Sequence, residues 1–386
     1  MALGRCSRLR RKERRSNDRA TLAPHRNGPV TGGGYSYFVL NSDIRSILII
    51  KPSSLGDIVH TLPAVAALRT AHPQAELTWV INPEWTTLLR GNPDIDHVHI
   101  FPRGEFRSLS APASLWPWLQ KTRNLRPDVA LDFQGLLRSA LIGRASRPGV
   151  FWGMSDAREG SRLFYQQIAQ VDRDAHAVER YLKLAESFGT PIARPVRFSL
   201  PTGDPLPRFD DYPPFLLLHP FARGPRKSLS TSVIEKFCRD LEPIRVVLVG
   251  KSARRINVSS NCVNLVNQTT LLQLLWLIRA ARCTISVDSG PMHLAAAVTP
   301  HLLSIHTWTH PHRVGPYNPD ALVWRDGLFN RVRELAGPEA PKKGRPFTVK
   351  DVAPAIELVR QWLEPELRVA GDDQGTLGPV TNLGGK

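Results

Sequence analysis

The sequence predicts an α/β protein built from two doubly wound domains. Short, continuous apolar runs alternate with stretches of helical spacing, the pattern of a parallel sheet covered on both faces. That alternation occurs twice, before and after a segment, residues 195–214, that holds six prolines and reads as a connection between domains. A length of 386 residues also exceeds what one hydrophobic core usually organises.

Residues 1–43 mix Arg, Ser, Asn, Pro and Gly without periodicity, so order is expected to begin near Ile44. Ser46 to Ile50 reads as a central strand, Lys51-Pro52-Ser53-Ser54-Leu55-Gly56-Asp57 as the loop after it, and Ile58 to Ala71 as a helix. Leu77 to Ile81 closes the first βαβ unit, and Val98 to Phe101 and Val129 to Asp132 add strands, with a helix over about 136–145. Residues 104–127 contain Trp116, Trp118 and several cations on an expected helix. The second domain repeats the plan: strands at Phe215 to Leu218, Arg245 to Gly250, Val263 to Val266, Cys283 to Ser286 and Leu302 to Ile305, helices at Thr231 to Leu241 and Leu271 to Ala281. Thr348 to Leu363 reads as a last amphipathic helix. The expected boundaries are a basic leader at 1–43, a first domain at 44–200, a second at 201–347, the helix at 348–365 and a disordered tail at 366–386.

The hydrophobic content of 42% and charged content of 22% are those of a globular protein, and no apolar run reaches the roughly 18 residues that would span a bilayer. A soluble or peripheral protein is expected. The net charge of +17 is uneven, because residues 1–26 carry eight Arg and one Lys against Glu13 and Asp18. That leader reads either as a tether to anionic lipid or nucleic acid, or as an unstructured extension. Cys6, Cys238, Cys262 and Cys283 show neither a paired spacing nor a zinc pattern, which suits a reducing compartment. No secretory apolar core follows Met1.

Four loops carry the residue types that chemistry needs, and all follow strands, where ligands of open α/β sheets bind. In the first, Asp57 is either a helix cap or a general base. It lies in a loop with one glycine and no G-K-[ST] ending, so this is not a Walker phosphate loop. In Asp132-Phe133-Gln134-Gly135-Leu136-Leu137-Arg138, the glycine permits close packing or a tight turn. Arg138 and, further on, Arg158 are either solvated or bind an anionic acceptor. Arg223-Gly224-Pro225-Arg226-Lys227 is a solvated basic loop or a diphosphate clamp. Val287 to His293 joins a strand to a helix, either as a structural cap or as an anion site on a helix N-terminus. The histidines lack metal-ligand grouping on one helix face, and packing and hydrogen bonding are their expected roles.

Together these stretches resemble glycosyltransferase family 9, and within it the lipopolysaccharide heptosyltransferase I type. The resemblance rests on KPSSLGDIVHTLPAV (51–65), DFQGLLRSAL (132–141), AREG (157–160) with HAVER (176–180), DSGPMHLAA (288–296) and GPY (315–317), in order over about residues 45–365. It implies a GT-B fold, two Rossmann-like domains facing a cleft, and inverting, metal-independent transfer of heptose from ADP-heptose to a phosphorylated glycolipid acceptor of the lipopolysaccharide inner core. No cofactor is implied. Asp57 matches the proposed base, Lys227 the lysine facing the donor phosphates, and Asp288, Ser289, Gly290 and His293 the donor loop. Arg138 and Arg158 match basic positions toward the acceptor. A cytoplasmic location is implied, with a peripheral contact to the inner membrane surface and no nucleic acid.

The chain departs from the family at three places. Ser228-Leu229-Ser230 stands where Trp-Pro is usual after the lysine, which leaves Arg226 as an alternative to Lys227. Lys251-Ser252 stands where an acid often holds the ribose, and His306-Thr307-Trp308-Thr309-His310-Pro311 replaces Gly-x-Thr-Asp-Pro. Two alternatives remain open: another nucleotide-sugar enzyme of this fold, such as an epimerase, and a non-enzymatic nucleic-acid binder using the basic leader.

Overall fold

Alternate side chains of β1 (Ser46–Ile50) enter different cores, Ile47 and Ile49 one, Leu48 and Ile50 another, which is why its sequence is apolar throughout rather than alternating. The computed structural model describes residues 44–104, 111–209, 214–335, 337 and 344–363, and the basic stretch 1–43 and the tail 366–386 lie outside them. Around β1 a six-stranded sheet forms from β2 (Glu76–Ile81), β3 (His97–Ile100), β4 (Val129–Asp132), β5 (Val150–Met154) and β6 (Gln167–Ala169). Its order is β3-β2-β1-β4-β5-β6 and every pair is parallel. Helices α1 (Leu55–Ala71), α2 (Ala111–Leu125), α3 (Leu137–Ala145) and α4 (Ala177–Ser187) accompany it.

The second sheet has the same plan. Strands β7 (Phe215–His219), β8 (Arg245–Leu248), β9 (Cys262–Asn264), β10 (Cys283–Val287), β11 (Leu302–Ile305) and β12 (Leu322–Arg325) run parallel, and β13 (Leu328–Arg331) pairs antiparallel on β12. The order is β13-β12-β11-β10-β7-β8-β9. Helices α5 (Thr231–Asp240), α6 (Leu271–Ala280), α7 (Gly290–Val298) and the single turn α8 (Pro311–Val314) belong to this half, and α9 (Val352–Arg360) packs Val352, Ile356 and Val359 into its core. The expectation of one uninterrupted final helix needs correction, because a 3-10 turn at Val349–Asp351 precedes α9. There the Asp351 carboxylate accepts from both the backbone and the hydroxyl of Thr348.

The strand order reverses direction between β1 and β4 in the first sheet and between β7 and β10 in the second. Loops leaving the carboxyl ends of such neighbouring strands diverge to opposite faces and open a crevice. The four loops after these strands are the four singled out in the sequence. One apolar cluster continues from Ile47, Ile49 and α1 through α7 to Leu217 of the second sheet, so the halves meet through buried surface. No helix among the described residues is long and apolar enough to cross a membrane.

Candidate active site

Lys51, the first residue after β1, is almost wholly buried. A lysine survives there because its ammonium donates to the Phe133 carbonyl at 2.8 Å and to the Tyr181 hydroxyl at 2.7 Å. Burial pulls its pKa below the usual value, against the opposing charges of Asp57 and Asp132. The Tyr181 hydroxyl in turn donates a hydrogen bond to Asp57 Oδ1 at 3.3 Å, and Lys51 Nζ itself stands 3.9 Å from that oxygen.

Asp57 satisfies both roles that its sequence position allows. Oδ2 accepts the backbone N–H of Ser54 at 3.1 Å and its hydroxyl at 2.7 Å, closing the first turn of α1. Oδ1 is turned to Tyr181 and Lys51 at the wall of a cavity of about 400 Å³. Partial burial would raise this carboxyl, but Lys51 and the two Ser54 hydrogen bonds outweigh it and hold the pKa below the ordinary value.

Gln134, Gly135, Arg158, Arg173 and Arg180 line the same cavity, and Arg313 reaches it from the second half. The wall is shaped by Asp132, whose fully buried carboxylate accepts from Ser139 and Tyr165 hydroxyls, both at 2.8 Å, and from the N–H groups of Gln134 and Gly135. Burial raises its pKa despite those bonds. Gly135 is left-handed, with φ of +67°, and a side chain there would press on Ala157. Arg158 donates its N–H to the Gly135 carbonyl at 2.8 Å, which ties the two acceptor-side motifs together. Arg138 stands apart from Arg158: it lines a separate, largely apolar groove between α2 and α3.

On the second half, Lys227 Nζ pairs with Asp288 Oδ2 at 2.6 Å, and the Thr309 hydroxyl donates to the same oxygen at 2.6 Å. Arg226 lies instead over the Trp308 ring, 5.6 Å from its centroid. Lys227, not its neighbour, therefore faces the Asp288 loop. Burial would raise the Asp288 carboxyl, yet His306, Lys227 and Thr309 lower it overall. The His306 contacts, Nδ1 to Thr309 Oγ1 at 3.1 Å and Nε2 to Ser304 Oγ at 2.7 Å, fit a neutral ring that donates through Nδ1. Burial pushes its pKa down to about 4. In this chain the segment that lacks the family's acid supplies a hydroxyl relay to Asp288. Ser289 starts α7 but spends its hydroxyl on Val287 and His219, so no side chain caps the helix; of its first turn, Pro291 has no N–H and the Met292 N–H goes to the Ser289 carbonyl at 3.1 Å.

The two helix N-termini meet across the seam. A side chain at Gly56 would overlap the His293 ring, and one at Gly290 would overlap Leu55. Only glycines allow this approach, and it sets the start of α7 beside the start of α1. His60 Nε2 and His293 Nδ1 share a hydrogen bond of 2.9 Å. His176 accepts from the Val178 N–H and donates through Nε2 to the Gly315 carbonyl at 3.1 Å, while Tyr317 donates to Glu179. HAVER and GPY thus interlock between the halves. Burial lowers the pKa of all three rings, that of His176 to about 4.

Arg180 closes the acceptor-side motif HAVER read in the sequence, whereas Tyr181, Arg173, Arg313, Thr309 and His306 were not singled out there as site residues. Tyr181 directly follows HAVER, which is the one signal that could have found it. Among the described residues no three His, Cys, Asp or Glu side chains group as metal ligands.

The family model for glycosyltransferase family 9 (heptosyltransferase) matches residues 118–333. The chain is 25% identical over 294 residues to the lipopolysaccharide core heptosyltransferase OpsX of Haemophilus influenzae, covering 71% of this chain and 82% of that protein. It is 26% identical over 310 residues to lipopolysaccharide heptosyltransferase 1 of Escherichia coli K12, covering 74% and 95%. Among solved structures it is similar to the E. coli heptosyltransferase WaaC with ADP, at a TM-score of 0.62 and 23% identity over 72% of this chain and 92% of that one. A family 9 glycosyl transferase from Veillonella parvula gives a TM-score of 0.67 at 17% identity, over 83% and 98%. With two sheets whose parallel strands follow matching order on either side of a crevice, and a family match across more than half its length, this chain is a glycosyltransferase of the GT-B fold and belongs to glycosyltransferase family 9.

Proposed function

We propose that the chain transfers heptose from ADP-heptose to an inner-core acceptor of lipopolysaccharide, with inversion and without a metal. The observation that carries this reading is the juxtaposition of Asp57 with the uncapped start of α7 and the Lys227–Asp288 pair. An acceptor hydroxyl in the cationic cavity loses its proton to Asp57 Oδ1 as its oxygen attacks the anomeric carbon. The bond from that carbon to the donor phosphate breaks, and ADP leaves with the electron pair. Lys227 and the positive end of the α7 dipole take up the growing negative charge on the diphosphate. Attack from the side opposite the leaving group inverts the anomeric centre. Arg158, Arg173 and Arg180 suit a phosphorylated or carboxylated acceptor.

The name of the E. coli protein bound to ADP supports an adenine nucleotide, whereas Lys251 at the ribose position weighs against a simple carry-over, so the donor is part of the test. Incubation with ADP-heptose should release ADP only when an inner-core acceptor is present, unaffected by EDTA, and NMR of the product should show the inverted anomer. Sugar isomerised without an acceptor would turn the assignment to an epimerase. No ADP release with any inner-core acceptor would refute the transfer itself. The acceptor's lipid portion places the working enzyme at the inner membrane surface, as a peripheral protein.

A further inference from the structure

The groove that holds Arg138 belongs to a surface the chemistry above leaves unused. It has a volume of about 360 Å³, and its walls come from Leu115, Leu119, Leu141 and Ile142. Around it large apolar side chains stand in solvent: Trp116 is 58% exposed, Leu141 49%, and Leu163, in the 3-10 turn Ser161–Phe164, 89%. Leu137 and Leu141 lie one turn apart and share a face of α3. Leu115, 41% exposed, and Leu141 meet in one groove, and such a cluster, unlike single exposed leucines, marks an interaction surface.

Charge identifies the partner. Helices α2 and α3 together carry Lys121, Arg123, Arg138 and Arg144 and not one carboxylate, and Arg103 also lines the groove. Trp116 lies under the Arg123 guanidinium, 5.9 Å from its ring centroid, an aromatic and a cation at the same level. Apolar groups between cations, with a tryptophan among them, match the interface of an anionic bilayer rather than a second protein surface. The face is continuous with the cavity: Gly135, which lines it, precedes α3 by two residues, and the Leu137 N–H is held by Glu159, the neighbour of Arg158.

We propose that the face made by α2, α3 and the 161–164 turn docks on an anionic phospholipid bilayer, seating Trp116, Leu141 and Leu163 among the upper acyl chains. Resting on the reading of the acceptor as a glycolipid, this orientation opens the Asp57 cavity toward the headgroups, where the acceptor's sugars stand.

Flotation of the full chain with phosphatidylcholine vesicles, with and without phosphatidylglycerol, tests this. Binding should require phosphatidylglycerol, weaken with added salt, and fall roughly tenfold in Trp116→Ser/Leu141→Ser/Leu163→Ser. Turnover on a deacylated, water-soluble acceptor should stay unchanged in that variant. If the triple variant misfolds, Leu163→Ser alone, at the most exposed position, must still weaken flotation. Failure of the wild type to float, equal binding to neutral vesicles, or full binding by the folded triple variant overturns the proposal, the last assigning the contact to the basic residues 1–43. Absence of ADP release with the soluble acceptor is scored separately and bears on the transferase reading alone.

Discussion

The two halves of the crevice share a strand order yet hold their charges differently. On the first, Asp57 and several arginines open onto a cavity of about 400 Å³. On the second, Lys227 is already matched by Asp288, which also takes the Thr309 hydroxyl. The first half presents the Asp57 carboxylate with Arg158 and Arg173 to an incoming acceptor, while Arg180 is held by Asp156 on the same wall. On the second the cation is held by an internal ion pair, and a diphosphate meets Lys227 through the ammonium donors that Asp288 leaves unused or by drawing it off Asp288. The same topology therefore supplies a poised base on one side and an exchangeable cation on the other.

Removing the base should produce the largest effect. In Asp57→Asn the amide oxygen can still accept from Ser54, so α1 keeps its first turn while the proton acceptor is gone. We expect kcat to drop by about 10²- to 10⁴-fold with donor affinity retained. An unchanged kcat would remove Asp57 from the chemistry and leave it as a cap.

Next in size comes that ion pair. Lys227→Ala should weaken donor binding by roughly 10- to 100-fold, the worth of a charged hydrogen bond of about 1.5–3 kcal/mol, and lower turnover with it. Arg226→Ala, which loses a stack on Trp308, should do much less. Isothermal titration with ADP would read both. The opposite ranking would make Arg226 the phosphate ligand and reverse the roles the geometry gives these neighbours.

A subtler change separates the buried support from the base itself. Lys51 lowers the Asp57 pKa, directly and through Tyr181, so Lys51→Met should let that pKa rise. A base works when deprotonated, and activity is lost as pH falls through its pKa. The acid limb of kcat/KM should therefore move to higher pH in Lys51→Met, and by less in Tyr181→Phe. An acid limb that stays in place in both would show that it belongs to another group.

Much of this contrast can be read from the chain, and the unreadable part has a physical cause. The strands β1, β4, β7 and β10 announce themselves because both faces are buried, and the loops after them carry Ser, Gly, Asp or Lys where backbone freedom and charge are needed. Asp57, Lys227 and Asp288 were legible for that reason. The strands β5 and β6 were not, since VFWGM and QIA are short and β6 sits at the sheet edge with Gln167 exposed. Arg180 and Tyr181 reach the cavity from α4, where HAVER marks the region but not the side chains' direction, and Arg313 comes from the other half, a convergence that no local pattern encodes. Arg138 and Arg158 look alike as surface cations near one loop, and only the course of α3 sends them to different grooves.

The seam between the halves offers the gentlest test, read in stability rather than turnover. His60, His176 and His293 are kept neutral there by burial, and His176 has its pKa pushed from 6.5 down to about 4. An unfolded chain binds a proton at each of these sites near pH 6.5, whereas the folded chain does so only lower. Stability is thus fully present above 6.5 and is lost as pH falls toward 4. Tm should decline over that window, beginning above the range where carboxylates titrate. In His176→Gln the side-chain amide can keep a donor near the Gly315 carbonyl without titrating, so the decline should be shallower. An identical slope in the variant would mean that His176 carries its proton in the folded protein, and that the interlock between HAVER and GPY is held by charge rather than by a neutral ring.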